Sequence, residues 1–575
     1  MKKALSAALA LILLASLAGC SGKKTPDPPQ TSADKRDPAA FTKQVSWDVL
    51  SSVDANFPFD EYVQDEHEKW YLGREAKLDW WFQFSWKKCN ESFDKYSTLK
   101  AVKEITGVDV KAQIPMGSDM EAVNLMMATG DFPDMMTLDP NHPLVRTLID
   151  GGYVYTMDEL VAKYEPGFLD EVPEPVKRTG TYDDGKWWGV LGLTVPEWKY
   201  ESGTPYDLGN QAYNVRHDIW EALGKPSIST PDDLYNTLKL FKQTYPTLGG
   251  KDSVGLLGYG NGGDGTLLTL GYSFGLKQYI SIDSASGTVT TRYLDPNYPD
   301  FIAFMNKLYR EGLLDPEFFV KDTQQQTESM ATNAFMCPYV WHVCDQANAL
   351  LKVQNPDSVF VAIPPMSATG KPFSFAGSST MGGESITLIP KSCKDPEAAL
   401  RLIRYGYSPA GSLQLYKGNP GEHYVVKDGV VSSSAEVLEA QKGDINAYNK
   451  LTGLGDYYAL VCLPLKEDRG FEGYRLEYDV PNSYPYSYDS TCEVYNMEPV
   501  GDSEAGIALT SVRSIGVRET ALAITASSAE ESAAIVRQMQ ADIQATPGYQ
   551  TLVDYWTNQY KSNVERFGTA KWGNP

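Results

Sequence analysis

The chain is 575 residues long, with 42% hydrophobic and 22% charged residues, so most of it can form domains with apolar cores. Single cores rarely grow beyond about 300 residues, and we therefore expect two to four domains. The formal net charge of −23 at pH 7 argues against binding to nucleic acid and against electrostatic attachment to anionic lipid. It says little about a small ligand, because an acidic protein can still carry a basic pocket.

The first twenty residues have the pattern of an export signal. Lys2 and Lys3 precede an apolar run over 4–14, which is shorter than the roughly 20 residues that span a bilayer. The tetrapeptide Leu17-Ala18-Gly19-Cys20 resembles the lipobox of bacterial lipoproteins. The resemblance implies that 1–19 are a signal peptide and that Cys20 carries lipid, anchoring the protein to the outer face of a membrane. Ordinary secretory cleavage beside a chance cysteine is the alternative.

Residues 20–40 are rich in proline, aspartate, lysine and serine, which predicts a disordered spacer after the lipidated cysteine. Beyond this spacer, strand-like and helix-like segments alternate. The predicted elements are a strand at 45–50, a helix at 91–107, a strand at 108–115, a helix from the capping box Ser118–Glu121 to Gly130, and a strand at 132–139. This βαβαβ order predicts a parallel sheet with helices on both faces.

The rest of the chain continues the alternation. Predicted helices span 218–223, 230–245, 299–312, 395–407 and 528–561, and predicted strands include 359–365 and 385–390. Six cysteines follow Cys20 without any CxxC motif, and Cys462 with Cys492 is the one candidate disulfide pair. No run after the signal peptide is long and apolar enough to cross a membrane.

Eight segments follow the order found in the extracellular solute-binding proteins of carbohydrate importers, family 1. They are TGVDV (106–110), NLMMATGDFPDMM (124–136), GGYVYTMDELVAKY (151–164), DDGKWWGV (183–190), a long stretch over 213–242, LYREGLLDPEF (308–318), KDPEAALRLIRYGYSPAG (394–411) and GNPGEHY (418–424). PGYQTLVDYWTNQYK (547–561) is similar to the closing helix of the family. The chain thus resembles the large lipoprotein branch that includes oligosaccharide binders, while 51–90 and 425–545 match poorly.

The resemblance implies an α/β, two-lobed periplasmic-binding-protein-like fold of type II, in which each lobe is a sheet flanked by helices and the cleft and hinge lie between them. It places 41–190 with 386–480 in lobe 1, and 191–385 with 481–575 in lobe 2. The expected function is that of a lipid-anchored, monomeric binding subunit outside the cytoplasm, which captures an oligosaccharide by lobe closure and delivers it to the permease subunits of an ABC transporter. No cofactor is expected.

Sugars are recognised by aromatic faces and by planar polar groups that bond the hydroxyls, and the cleft of an open α/β sheet lies beyond the carboxyl ends of its strands. Asp139, Asn141 and His142 come after the predicted strand that ends at Leu138, where a solvated turn is the alternative. Trp341 lies where many family members have a tryptophan that stacks on ligand, with a core position as the alternative. The remaining candidates are Trp187, Trp188, Gly383, Glu384, Tyr259, Asn261 and Trp81.

For the pair Trp187 and Trp188, strand alternation predicts that one faces the cleft and the other the core. Glycines at Gly382 and Gly383 would let a ligand approach the backbone. Trp81 lies outside the region of resemblance, and core packing is an equal alternative there.

Catalytic and metal motifs are weak. Gly271–Gly275 fits the nucleophile-elbow pattern GxSxG, but the segment aligns with a helix end that closes on Gly275. GYGNGG (258–263) fits GxGxxG without a helix opening directly from it. Some oligosaccharide-binding relatives hold a structural calcium, yet Asp207, Asn210 and Asn214 miss the EF-hand spacing.

We therefore predict neither an enzyme nor a metal protein. Two alternative functions remain: a surface-anchored glycan hydrolase with a carboxylate pair, and a sensor for a membrane kinase.

Overall fold

The structure is a computed structural model that describes part of the chain. The described residues are 52–84, 87, 89–114, 119–170, 172, 177, 179–182, 184–192, 211–355, 357–363, 366–370, 373–375, 385–427, 430–442, 445–461, 466–468, 486–488, 494 and 497–567. The signal peptide, Cys20, the spacer and the strand predicted at 45–50 lie outside these ranges, as do Cys462 and Cys492.

Helices account for the larger part of the described residues. They are α1 (Phe59–Trp70), α2 (Ser97–Thr106), α3 (Asp119–Thr129), α4 (Pro143–Asp150), α5 (Met157–Tyr164), α6 (His217–Ala222), α7 (Pro231–Thr244), α8 (Asp264–Ser273), α9 (Tyr298–Arg310), α10 (Thr323–Thr332), α11 (Asp345–Gln354), α12 (Pro396–Tyr407), α13 (Pro409–Lys417), α14 (Ala435–Lys442), α15 (Ile445–Thr452), α16 (Glu504–Thr525), α17 (Ala529–Gln544) and α18 (Tyr549–Phe567).

The strands are short. They are β1 (Ala76–Phe82), β2 (Val108–Gln113), β3 (Met135–Leu138), β4 (Val190–Gly192), β5 (Gln211–Arg216), β6 (Thr247–Leu248), β7 (Lys251–Asp252), β8 (Val254–Leu256), β9 (Ile280–Ile282), β10 (Val289–Thr291), β11 (Ala334–Val340), β12 (Phe360–Ile363), β13 (Phe373–Phe375), β14 (Ser385–Leu388), β15 (Tyr424–Lys427), β16 (Val430–Ser433), β17 (Lys466–Asp468) and β18 (Tyr486–Tyr488).

The first lobe is built on a five-stranded sheet in the order β2-β1-β3-β14-β4. Strand β1 is parallel to β2 and β3, whereas β14 runs antiparallel to both β3 and β4. All four residues of β3 are buried, as expected for a central strand covered by helices on both faces. Two side-chain hydrogen bonds cross this apolar centre. The indole of Trp80 donates to Thr137 Oγ1 (2.8 Å), and Thr137 Oγ1 is hydrogen-bonded to Thr387 Oγ1 (2.8 Å).

The second lobe is built on a four-stranded sheet in the order β12-β5-β11-β8, with a separate apolar core. Strand β5 is antiparallel to β11 and β12, and β11 is parallel to β8. The C-terminal helices α16, α17 and α18 pack on this core. The buried amide of Asn306 donates to the carbonyls of Ala523, Ile524 and Ala526 (2.8–3.3 Å), which satisfies the end of α16.

The elements predicted between residues 91 and 139 agree with the structure to within a few residues, including the left-handed Gly107 that closes α2. The single helix predicted at 528–561 is wrong, because α17 and α18 are separate. Pro547 cannot donate a helical hydrogen bond, and Gly548 has a φ of +76°. The prediction also omitted α1, β1 and α16. The lobe boundaries proposed above stay a prediction.

A buried ion network holds three helices of the first lobe together. Glu165, which follows α5, accepts from Arg401 Nε (2.5 Å) and from Arg404 Nη1 (2.6 Å), both on α12. Arg401 also donates to the carbonyls of Trp70 and Tyr71 at the end of α1 (3.1 and 3.3 Å). One carboxylate therefore forms ion pairs with two guanidinium groups that are almost completely out of water.

We expect Glu165→Gln to lower the free energy of unfolding by about 3 kcal/mol or more, because two buried cations lose their counter-charge. Urea unfolding followed by tryptophan fluorescence measures the change. The matched control is Glu68→Gln on the exposed side of α1, which should shift stability by less than about 0.5 kcal/mol. Equal effects of the two substitutions would contradict a stabilising role for the network.

Candidate functional site

Several strand ends meet along one edge of the first sheet. The parallel strands β1 and β3 end there at Phe82 and Leu138, and β4 ends at Gly192, opposite Ser385 where β14 begins. The chain thus leaves this sheet and returns to it along the edge where ligands of open α/β sheets bind.

The predicted cluster after β3 lies at this edge. The Asp139 N–H donates to Gln83 Oε1 (2.8 Å), and one Asp139 carboxylate oxygen accepts from the Asn141 N–H (2.8 Å). Asp139 and Asn141 are exposed, whereas His142 caps α4 by accepting from the Leu144 N–H (3.2 Å). Desolvation raises the pKa of Asp139 although the side chain reaches solvent, as expected in a concave surface.

A very small cavity adjoins the end of β1, with a volume of about 10 Å³, which is roughly the space of one water molecule. Its lining residues are Phe82, Phe84, Lys87, Asp456, Tyr458 and Ala459. Lys87 Nζ lies 3.3 Å from the ring centroid of Tyr457 and donates to the Asp456 carboxylate (3.0 Å) and carbonyl (2.8 Å). Burial lowers the pKa of Lys87 to about 8, against the opposing effect of Asp456. The cavity is therefore aromatic, with a paired charge at its base.

The second lobe presents tyrosines at the corresponding edge. Tyr259, just after β8, stacks on Tyr339 of β11 with ring centroids 5.6 Å apart. Two glycines of the loop at 258–265 make this packing feasible. A Cβ on Gly265 would lie 2.6 Å from the Tyr339 ring, and Gly260, with a φ of +91°, would place one 2.0 Å from Asp264 Oδ1. The glycine-rich loop thus has a packing role at the tyrosine face.

Tyr279, which precedes β9, is a further exposed aromatic residue of the second lobe that the sequence did not reveal. The side chain is 58% exposed, and the Arg513 guanidinium lies 5.5 Å from its ring centroid. Desolvation raises the pKa of Tyr279 although much of the side chain reaches solvent, and the charge of Asp139 raises it further. An isolated tyrosine next to a short strand carries no sequence signal for this position.

The structure does not bring all predicted site residues together. Trp187 (1% exposed) and Trp81 (3%) lie in the first core, so neither presents a ring face to the cleft. Trp188 is also buried, and its indole donates to the Asp184 carboxylate (3.1 Å). Both members of the tryptophan pair are therefore inside, because Val190 and its neighbours enter a sheet covered on both faces.

Other predicted residues keep their place at the cleft or fall outside the description. Tyr259 is half-buried and Asn261 is exposed in the loop after β8. Trp341 begins a short 3₁₀ turn directly after β11, at the same edge, and its side chain lies outside the described residues. Gly383 and Glu384 lie outside them as well.

The GxSxG pattern at Gly271–Gly275, which was rejected as a catalytic motif, lies at the end of helix α8. Ser273 ends α8 and its hydroxyl bonds the buried Tyr213 hydroxyl (2.8 Å), so it has no strand-turn-helix setting. The side chain of Asn214 is buried and its amide donates to the Cys337 carbonyl (3.0 Å). Among the described residues there is no cluster of three or more histidine, cysteine or carboxylate side chains that could hold a metal. Nor does any helix in these ranges combine the length and apolarity needed to cross a bilayer.

Curated relatives match parts of the chain. Lipoprotein LipO of Bacillus subtilis (strain 168) is 23% identical over 360 residues, which cover 59% of this chain and 66% of LipO. The polygalacturonan/rhamnogalacturonan-binding protein YtcQ of the same organism is 22% identical over 41% of this chain and 44% of its own length. The matches thus span less than two thirds of the lengths of these relatives.

Solved structures share the fold over most of the chain. An extracellular solute-binding protein from Bifidobacterium longum subsp. infantis has a TM-score of 0.63 at 16% identity, covering 86% of this chain and 99% of that one. The alginate-binding protein AlgQ2 has a TM-score of 0.57 at 17% identity, with coverage of 86% and 99%. These likenesses confirm the α/β two-lobed fold.

The sequence profile described as bacterial extracellular solute-binding protein matches residues 90–412. This range contains both strands of the crossover pair, β4 and β14, and the tyrosine-bearing edge of the second lobe. Since the match covers more than half of the chain, the protein belongs to the family of bacterial extracellular solute-binding proteins, as the resemblance predicted.

Proposed function

We propose that this protein is the lipid-anchored binding subunit of an ABC importer and that it captures an oligosaccharide between its lobes. The observation that carries the proposal is the stacked pair Tyr259 and Tyr339 at the edge of the second sheet, together with exposed Asp139 directly after β3 on the first. A tyrosine face packs on the C–H surface of a sugar ring, and a carboxylate accepts hydrogen bonds from its hydroxyls.

Exposed Tyr279 adds a third tyrosine to the second lobe, beside the stacked pair Tyr259 and Tyr339 in our proposal. A ligand with several sugar rings would use these tyrosines together, which supports an oligosaccharide over a single sugar. Trp341 follows β11 at the same edge, and we retain it as a proposed stacking residue.

We infer lobe closure from the links between the lobes. Gly192 and Ser385 are paired at the end of the first sheet, and two of the three links that the lobe boundaries imply begin beside them. Rotation about this pair would close the tyrosine edge on Asp139 and present the closed form to permease subunits. The proposed anchor at Cys20 keeps the binding protein near them; the name of the relative LipO as a lipoprotein supports it.

Incubation of the mature protein with a panel of oligosaccharides should raise its melting temperature for one class of glycan without releasing shorter products. Ligand at 100 times its dissociation constant adds about 2.7 kcal/mol of stability. Differential scanning fluorimetry and chromatography of the recovered glycans make the two measurements. Release of cleaved glycan would contradict binding without cleavage and would support the alternative function of a glycan hydrolase.

Tyr279→Ala should weaken binding of that oligosaccharide by more than tenfold while leaving the melting temperature of the free protein nearly unchanged, because the side chain is 58% exposed. Isothermal titration calorimetry gives the affinity. The control is Tyr279→Phe, which keeps the ring face and should bind within about threefold of the unaltered protein. A similar loss in both variants would assign the effect to the hydroxyl rather than to stacking.

Cys20→Ala should move the protein from the membrane fraction to the soluble fraction of cells that express the full chain, because no acyl chain can then be attached. Fractionation followed by immunoblotting measures the distribution. Persistence of the variant in the membrane fraction after a high-salt wash would contradict the proposed lipid anchor.

A further inference from the structure

We propose that Gln326 is a positioning residue of the binding site, which holds the loop at 258–265 in one conformation and so presents the ring of Tyr259 before ligand arrives. Gln326 lies on α10 and is 0% exposed, so it cannot itself contact a ligand in the cleft. The inference rests on the proposed function, because it takes Tyr259 and Tyr339 as the stacking face for a sugar ring.

The carboxamide of Gln326 binds both backbone groups of one loop residue. Its Oε1 accepts from the Gly260 N–H (3.1 Å), and its Nε2 donates to the Gly260 carbonyl (2.9 Å). The same Nε2 also donates to the Lys321 carbonyl (2.9 Å), which precedes α10. The side-chain amide therefore pairs with Gly260 as a neighbouring strand would, and the hydrogen bonds fix the orientation of this part of the loop.

The loop depends on outside contacts because it is built on glycines in unusual conformations. Gly260 has a φ of +91° and a ψ of −179°, a region that is essentially restricted to glycine. Gly262 and Gly263 also have positive φ values, of +59° and +71°. Glycine loses more conformational freedom on ordering than any other residue, so contacts must select one conformation of this loop from many.

The position of Gly260 influences Tyr259, which directly precedes it. The Tyr259 N–H donates to Thr266 Oγ1 (3.0 Å), and the Tyr259 carbonyl accepts from the Thr266 N–H (3.4 Å). Helix α8 thus holds Tyr259 on one side, and Gln326 holds it on the other through Gly260. With its backbone fixed in this way, the ring keeps its stacked arrangement on Tyr339, with an angle of 26° between the two planes.

Gln326 is itself held by a well-defined helix start. Asp322 caps α10 by accepting from the Gln325 N–H (2.8 Å), and the Gln325 side chain accepts from the Asp322 N–H (3.0 Å). The preceding Lys321 is paired with the buried carboxylate of Asp315 (2.7 Å). The support behind the loop is therefore a fixed helix rather than a second loop.

A preformed tyrosine face binds more tightly than one that ligand must order. Ordering a flexible loop costs binding free energy, and contacts that order the loop beforehand remove that cost. Loss of the Gln326 contacts should weaken binding about tenfold, as expected when a few residues lose their order. The effect should act through Tyr259, because Gln326 itself contacts no ligand.

The test is a double-mutant cycle between Gln326 and Tyr259, using the panel oligosaccharide that raises the melting temperature most. Calorimetry on the mature protein should show that Gln326→Ala weakens binding about tenfold when Tyr259 is present, and less than about twofold in the Tyr259→Ala background. An equal loss in both backgrounds, or unchanged affinity of Gln326→Ala, would overturn the inference. The matched control is Gln324→Ala on the exposed side of α10, which should bind as the unaltered protein does.

Gly260→Ala approaches the same contact from the loop and keeps the test valid if Gln326→Ala fails to fold. A Cβ at Gly260 would lie 2.0 Å from Asp264 Oδ1, and the positive φ disfavours alanine. This variant should show the same loss of affinity and the same dependence on Tyr259. A loss that persists undiminished in the Tyr259→Ala background would count against positioning of Tyr259.

Hydrogen exchange in the ligand-free protein separates this inference from the proposed function. Amides of the loop at 258–265 should exchange faster in Gln326→Ala than in Gln324→Ala, because the loop opens more often without the carboxamide. Unchanged exchange in this segment would overturn the inference alone. Failure of the unaltered protein to bind any oligosaccharide would overturn the proposed function, and with it the role of Gln326 in binding.

Discussion

Strand β14 hydrogen-bonds to β3 on one side and to β4 on the other, running antiparallel to both. Because of this pairing, the strand that leaves the first lobe and the strand that returns to it lie side by side in one sheet. Gly192, the last residue of β4, packs closely against Ala459. A Cβ at Gly192 would lie 2.1 Å from the Ala459 carbonyl oxygen. The strand ends of the candidate site, the crossover strands β4 and β14 and the cavity at Phe82 therefore lie along one edge of the first sheet.

The proposed binding surface divides its chemistry between the lobes. The second lobe supplies most of the aromatic face, through Tyr259, Tyr279 and Tyr339, while the first supplies Asp139. Under the proposed function, the ligand would gain the contacts of the opposite lobe only when the lobes close, and this would give closure a thermodynamic basis.

Much of the fold follows from sequence patterns, while the cleft follows from them only in part. The helices and strands around Gly107 and Asp139 have strong local signals, and the position of Asp139 follows from the rule that ligands lie at strand ends. The tryptophan pair at 187–188 was expected to alternate between cleft and core, yet the sheet is covered on both faces and buries both rings. Tyr279 lies beside Arg513, which is more than 200 residues away in the chain, and local periodicity does not encode such a contact.

Asp456, Tyr458, Glu498 and Arg513 lie beyond residue 412, where the match to the family profile ends. These residues form the base of the Phe82 cavity and the support behind Tyr279. Side chains beyond the matched range thus contribute to this part of the structure. Similarity over the matched range therefore transfers the fold of the cleft but not these side chains. Related proteins with the same fold can thus differ in the ligand that they bind.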